Sequence, residues 1–536
     1  FSVADATTAS EALPLGQARA NFAAINGSSS QDFAVKSLTG DVSAATALAT
    51  GATMALSLAA RFSYAKYTTE YGAVGDGSTD DTNAILKAIT DCAGVCELIH
   101  PANLNSLISA QITPSGGLNG LTFKIDGNIT FNSATPIQNS IFGSSLTNCL
   151  IHGNGIINCN APSGNTSTTS VRGVFNSDNC IGLVVKDLTL KNSANWLFNV
   201  TNSNDCYAIG VKFINSGNSV EYAASGYNCW FIDCLINGVN DLGCGFYGGF
   251  TNSGILGCYM TGGVSNGLFV YNDNAQPAAC SNILIIGNIS TGNSGPGIQI
   301  TKGYPNNNHS GIVVSGNQIN KNKGGIVVDG VFGCVVSANM LTQNTYNSVQ
   351  PGDIWVNSDA QAVSVTGNFV FNSQLGSTSG FGIFLASANQ VLISNNYVYD
   401  DQATKTMQGC IGGVSLSACF VTANYWGGAI GAVDQVTYDA SSVVINNFQP
   451  FNGGLVSKQS GPPPSVQVIS VGASNSTYTA PGPGTVFVQG GASVLLYITR
   501  GSNQLNLGTP SSIPVQQGDV VTYTYTTAPV MEFFPA

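Results

Sequence analysis

The sequence predicts an all-β protein dominated by a parallel β-helix, a coil of short strands wound about one axis. Three observations carry that expectation. Only 8% of the 536 residues are charged, against about 25% in an average soluble domain, yet 43% are hydrophobic and 64 are glycine. Such a chain is too apolar to stay disordered and too poorly charged for an ordinary solvated surface. The second observation is a recurrent unit in which an apolar alternation ends in Gly, Ala or Asn followed by Asn. It stands at Asn128, Asn154, Asn288, Asn317, Asn339, Asn368, Asn396, Asn424 and Asn447, with Asp187, Lys212, Cys234 and Cys258 in the equivalent places between. These thirteen positions recur at a mean spacing of about 27 residues, the length of one coil of about three strands. Asn suits such a turn because it tolerates left-handed backbone and its amide can bond to the coils above and below. The third observation is a second strand block about ten residues after each Asn, as in Gly297-Ile-Gln-Ile, Gly325-Ile-Val-Val, Asp353-Ile-Trp-Val and Gly382-Ile-Phe-Leu. Alternation puts Ile298, Ile326, Ile354 and Ile383 inside and Gln299, Val327, Trp355 and Phe384 outside. The same outward column is expected to hold Glu221, Phe246 and Phe269. An outward aromatic stripe fits either a sugar platform or a subunit interface.

In chain order, residues 1–62 are rich in Ala, Ser and Thr and read as a stem, with a small-residue helix over 43–62. Residues 63–458 form the β-helix of about thirteen coils. It opens on Tyr71-Gly-Ala-Val-Gly-Asp-Gly-Ser-Thr-Asp-Asp-Thr-Asn-Ala-Ile85, where Gly75 and Gly77 permit a tight turn. Asp80, Asp81 and Thr82 can cap a helix over about 81–91 that closes the first coil's unpaired edge. These acids are expected to be structural. Residues 459–464 contain Gly461-Pro-Pro-Pro464 and read as a rigid linker. Residues 465–536 alternate apolar and polar between Gly and Pro turns, as an antiparallel β-sandwich does.

The net charge of −11 argues against a nucleic-acid partner. No apolar run reaches about 18 residues, so membrane insertion is not expected. The fourteen cysteines include no Cys-x-x-Cys, and His100, His152 and His309 are scattered, so neither a metal site nor a cofactor is expected. Most cysteines sit in strand-like runs and read as buried thiols, in keeping with assembly in a reducing cytoplasm.

The motif at Tyr71–Ile85, with Leu15-Gly-Gln17 and Asn26-Gly-Ser-Ser-Ser-Gln31 upstream, resembles the pectate-lyase-like right-handed β-helix superfamily, especially bacteriophage tailspikes and tail-fibre depolymerases. The likeness covers residues 1–90 by motif and about 91–455 by architecture only. It implies a homotrimer made in the host cytoplasm and carried on the virion, its stem joined to the phage tail or baseplate. It also implies binding, and usually cleavage, of bacterial surface polysaccharide: capsule, O-antigen or exopolysaccharide. The motif is silent on the bond that is cut.

Hydrolysis of a glycosidic bond needs a protonated carboxyl and a second carboxylate. Glu221 is the only glutamate between Glu97 and Glu532, and it stands between apolar neighbours where burial would raise its pKa. It is the candidate acid, with Asp241 as partner and Asp273, in the insertion Asn272–Ala279, as substitute. Trp196, Trp230, Phe246, Tyr247, Phe269 and Tyr271 supply candidate sugar-binding faces. A polysaccharide lyase is the alternative, with Lys186, Lys191 and Lys212 as base and carboxylate-neutralising patch. The only arginine in the β-helix is Arg172, which disfavours calcium-dependent pectate cleavage. A receptor-binding fibre without activity, or a spacer whose terminal sandwich binds the receptor, also fits. A secreted plant-wall pectinase fits less well.

Overall fold

The structure is a computed structural model. It describes residues 64–132, 140–143, 145–161, 173–303, 307–345, 351–357, 359–371, 380–400, 402–429, 434–438, 441–449, 454–459 and 467–535, with two short strands before them. Two compact units emerge, residues 1–197 with 205–212, and residues 198–204 with 213–536.

In the first unit, strands Ala65–Tyr67, Glu97–His100, Thr122–Ile125, Leu150–His152, Val184–Lys186 and Tyr207–Ile209 stack in parallel. Leu98, Phe123, Ile151, Val185 and Ala208 fall in register and are fully buried, an apolar column repeated coil after coil. Helix Thr82–Cys92 packs Ile85, Ala88, Ile89 and Cys92 inward near the start of this stack. The acids of the opening motif are structural, as expected, but their tasks differ from simple capping. Asp81 is buried and accepts the Val74 and Gly75 amides at 2.7 and 2.9 Å, making no cap bond to its own helix. Asp80 takes the Thr82 amide at 3.0 Å instead. Gly75 has φ +66°, and an added Cβ would stand 2.8 Å from Leu104 Cβ, so the turn requires glycine.

Of the stem, only Thr46–Ala47 and Leu56–Ser57 lie among the described residues. They pair antiparallel, Thr46 with Ser57 and Ala47 with Leu56, which contradicts the helix expected over 43–62. The β-branched Thr46, Thr50 and Thr53 weaken a helix there, and Gly51 costs it about 1 kcal/mol more.

In the second unit, Phe231, Ile255, Ile285, Val314, Val336, Val365, Ile393, Val421 and Val444 form one inward column, all fully buried. Beside it runs a ladder of Asn288, Asn317, Asn339, Asn368, Asn396, Asn424 and Asn447. Each residue's backbone N–H and Nδ2 donate to Oδ1 of the next at 2.9–3.0 Å. Nδ2 also donates to a backbone carbonyl, as Asn317 does to Ile285 at 2.9 Å, so these buried amides are satisfied. The left-handed backbone lies one residue earlier, at Gly287, Gly316, Ala338, Gly367, Asn395 and Ala423. The recurrent Asn therefore serves as a rung, and the small residue before it makes the turn. A second ladder, Asn293–Asn322–Asn344, was not singled out in the sequence.

The column Gln299–Val327–Trp355–Phe384 forms in the expected register, but Val327 is buried and both aromatics are half-buried. The exposed apolar residues lie elsewhere, in two columns: Leu392 and Phe420 in one, Met340 and Phe369 in the other. There Phe369, Tyr397 and Tyr425 stack face to face at 4.6 and 4.5 Å.

Strand Gly454–Gln459 turns back antiparallel on Val443–Gln449. Residues 460–466, and with them Gly461–Pro464, lie outside the described residues. Beyond them two four-stranded antiparallel sheets enclose Ile469, Val486, Leu496, Ile513, Val521, Met531 and Phe533, the expected sandwich. None of the fourteen cysteines is in a disulfide, and thirteen are buried. Among the described residues no helix is long and apolar enough to cross a membrane.

Candidate active site

Strands Phe198–Asn204, Val220–Tyr227, Cys244–Leu256, Leu268–Asn272 and Ile298–Lys302 stack in register and present one outward face. Strand alternation sorts their side chains. Val200, Tyr222, Phe246, Val270 and Ile300 point inward and are fully buried, with Tyr222 and Phe246 stacked at 5.9 Å. Phe246 is therefore core, and its expected place in the outward column is corrected to Gly245. One outward column reads Asn199, Glu221, Gly245, Phe269, Gln299, and the next reads Thr201, Ala223, Tyr247, Tyr271, Thr301. Phe269, though outward, is buried because it folds onto Gly245, whose added Cβ would lie 3.0 Å from its ring. It offers no open face to a ligand.

Tyr247 and Tyr271 stack at 5.8 Å and remain half-buried. The Tyr247 hydroxyl donates to Asp273 Oδ1 at 2.7 Å, and the Ala275 and Gln276 amides donate to the same oxygen at 2.7 and 3.1 Å. The Asp273 loop is pinned in turn: Asn272 and Asn307 both bond the Pro277 carbonyl, and the Cys280 amide donates to His309 Nδ1. Asp241 follows strand Leu235–Val239 and accepts from Ser219 Oγ at 3.4 Å, just before the strand that carries Glu221. Glu221 itself is 5% exposed, almost wholly buried at the edge of this group.

The electrostatics tie these residues together. Burial pushes Tyr247 up, helped by its bond to Asp273 and by the charges of Asp273 and Glu221. Tyr271 is raised by burial and by the charges of both Asp273 and Asp241. Asp241, although exposed as a residue, is raised by the protein around its carboxyl, against its bonds from Ser219 and the Leu242 amide. Burial also pushes Asp273 upward, but the Tyr247 hydroxyl and two amides outweigh it and hold the group below the usual carboxylate range. Two carboxyls around one tyrosine pair are thus displaced in opposite directions.

Of the sequence candidates, the face gathers Glu221, Asp241, Asp273, Tyr247 and Tyr271. Trp230 stands on another strand of its coil, its ring against Gly254 and its indole N–H on Asn228 at 2.7 Å. Trp196 belongs to the first unit, half-buried, with an indole N–H that is buried and meets no acceptor. The lysines of the lyase reading also lie in the first unit, and Lys186 pairs with Asp187 at 3.8 Å. The Tyr247–Asp273 bond was missed, although register could have found it, since Tyr271 faces Tyr247 two residues before Asp273. A further charged group was also missed: Lys302 reaches Asp359 at 3.0 Å, while burial and the Asp359 charge raise Asp329. A cleft of about 730 Å³ opens in the C-terminal sandwich beside Ile498, Arg500, Leu505 and Ile513, and none of the carboxylate group lines it.

Comparison with solved structures places this architecture. A variant of the tailspike protein of E. coli bacteriophage HK620 matches at 13% identity and a TM-score of 0.50, covering 94% of this chain and 99% of its own. The fold is a parallel β-helix like that of this tailspike. The tailspike of the same phage in complex with a pentasaccharide matches at 14% identity over the same shares, with a TM-score of 0.47. The A-module of Azotobacter vinelandii mannuronan C-5 epimerase AlgE6 matches at 12% identity and 0.48, covering 72% of this chain and 99% of that one. No family profile and no curated protein sequence matches the chain.

Proposed function

We propose that the chain is a phage tailspike that binds bacterial surface polysaccharide and hydrolyses it, Asp241 acting as general acid and Asp273 as base. The observation that carries this reading is the placement of these two carboxyls, with opposite pKa displacements, around stacked Tyr247 and Tyr271. A carboxyl that holds its proton more tightly than usual can give it to the leaving glycosidic oxygen, and one held ionised can activate water. The exposed sides of the tyrosines suit the C–H faces of sugar rings. The near-complete burial of Glu221, which keeps it from a ligand, favours giving Asp241 the acid's role that the sequence suggested for Glu221. The tailspike fold and the Tyr71–Ile85 motif support the phage setting, with a homotrimer on the virion tail acting at the cell surface.

Reducing-end release from purified polysaccharides of susceptible strains tests the reading. Asp241→Asn and Asp273→Asn are each expected to lower the rate by about a hundredfold or more while leaving polysaccharide binding intact. New ends that carry the ultraviolet absorbance of unsaturated uronate would show a lyase instead, and full activity in both variants would place the site elsewhere.

A further inference from the structure

We infer that the sugar unit taken up beside Tyr247 and Tyr271 carries no negative charge: the site reads a neutral hexose or N-acetylhexosamine and turns away uronates and other acidic sugars. This rests on the carbohydrate reading above and narrows its substrate. Between Lys212 and Lys302 the chain contains no Lys, Arg or His, but it does contain Glu221, Asp233, Asp241 and Asp273. All residues over that span are described, and they supply the strands Val220–Tyr227, Cys244–Leu256 and Leu268–Asn272 of the site. The next cation along the face is Lys302, in register with Asn272. It is committed, with Nζ 3.0 Å from Asp359 and 2.9 Å from the Asn308 side-chain oxygen, and its side chain is 14% exposed.

A uronate at this place would set its carboxylate beside acidic side chains in a partly desolvated site, with no guanidinium or ammonium on the described residues of these strands to offset it, Lys302 being committed. Like charges so placed disfavour one another, and among the described residues of these strands no uncommitted Arg or Lys is present to grip a sugar carboxylate. What the face does offer is uncharged and suited to hydroxyls and acetamides: the Tyr271 hydroxyl, Thr301 and Gln299, whose Nε2 donates to Thr301 Oγ1 at 3.0 Å. Asp273, held ionised by Tyr247, makes the point sharper, because its charge persists at neutral pH.

The test uses the full-length protein and an array of purified bacterial polysaccharides, each printed native and after carboxyl reduction, which converts uronates to neutral hexoses. Polysaccharides whose binding falls about tenfold in Tyr271→Ala report the ligand of this face. For these, the carboxyl-reduced form is expected to bind as well as the native one or better. A loss of about tenfold on reduction would overturn the inference, and so would a Tyr271→Ala protein that loses no polysaccharide. Where cleavage occurs, mass spectrometry of the products should find neutral sugars on both sides of the cut, and an acidic sugar on either side would refute the inference. Absence of cleavage defeats the hydrolase reading alone, because the array still reads the charge of what is bound.

Discussion

Asp353 offers the sharpest test of how this fold responds to pH. It lies on strand Gly352–Val356, 0% exposed, and burial raises its carboxyl to about 8 against an ordinary value of 3.8, with a bond from Asn344 only partly opposing the shift. A folded-state pKa above the unfolded one means that the native protein holds this proton more tightly. The associated stability is fully present below about pH 4 and is lost as pH rises toward about 8. A gap of about four units corresponds to a loss on the order of 5 kcal/mol, a large part of a typical domain's stability. Asp353→Asn keeps the shape and an acceptor for Asn344 while removing the proton. It also respects the tight fit over Gly325, where a Cβ would lie 2.8 Å from Asp353 Oδ1. Urea unfolding of both proteins from about pH 5 to about pH 9 is the assay. The variant should be the more stable at the alkaline end by several kcal/mol, with the gap closing toward acid. Parallel curves, or a variant weaker than wild type at about pH 9, would refute the argument.

His309 should act with the opposite sign. Its ring is buried, takes the Cys280 amide on Nδ1 and gives Nε2–H to the Thr301 carbonyl, and burial lowers its pKa to about 4. Stability should therefore fall between about pH 6.5 and pH 4 by on the order of 3 kcal/mol, and His309→Gln should flatten that limb in the same urea series. Tyr247→Phe removes the hydroxyl that helps keep Asp273 low, so the acidic limb of the pH–rate profile should move to higher pH by about one unit. An unmoved limb would mean that Asp273 is not the base. Asn339→Ala removes the oxygen that accepts from the Asn317 amide and Nδ2 and the Nδ2 that donates to Asn368, and should lower stability by about 3 kcal/mol or more in thermal or urea unfolding.

The β-helix was legible because its signal repeats: the Asn beat and the Gly-Ile-x-apolar block recur often enough to outvote any one ambiguous coil. Single positions were harder. Cys244-Gly-Phe-Tyr-Gly-Gly-Phe250 carries aromatics on both parities, and a one-residue change of phase exchanges inside for outside. Only the paired register decides that Phe246 is core and Tyr247 faces out. Glycine hid Phe269 in the same way, since a missing side chain at Gly245 makes room that composition does not reveal. Alternation alone would turn Asp353 to the same side as Trp355, yet the bare Gly325 beside it lets the carboxyl sink to full burial. The 43–62 segment misled because its alanines outweighed its threonines and glycine. For the site, the scarcity of acids already limited the choice to a few residues. Their separate roles depend on Tyr247, Ser219 and loop amides that meet only in the folded chain.

The asparagine ladder also has a direction. Every rung hands its hydrogens to the following coil and receives from the preceding one, beginning with the Cys258 amide on Asn288 Oδ1. Nothing in a rung is specific to its position, so the stack contains no internal signal to stop. Termination falls to the hairpin in which Val456 pairs with Asn447 and reverses the chain. That reversal ends the parallel register and sets an antiparallel strand where a further coil would otherwise stack.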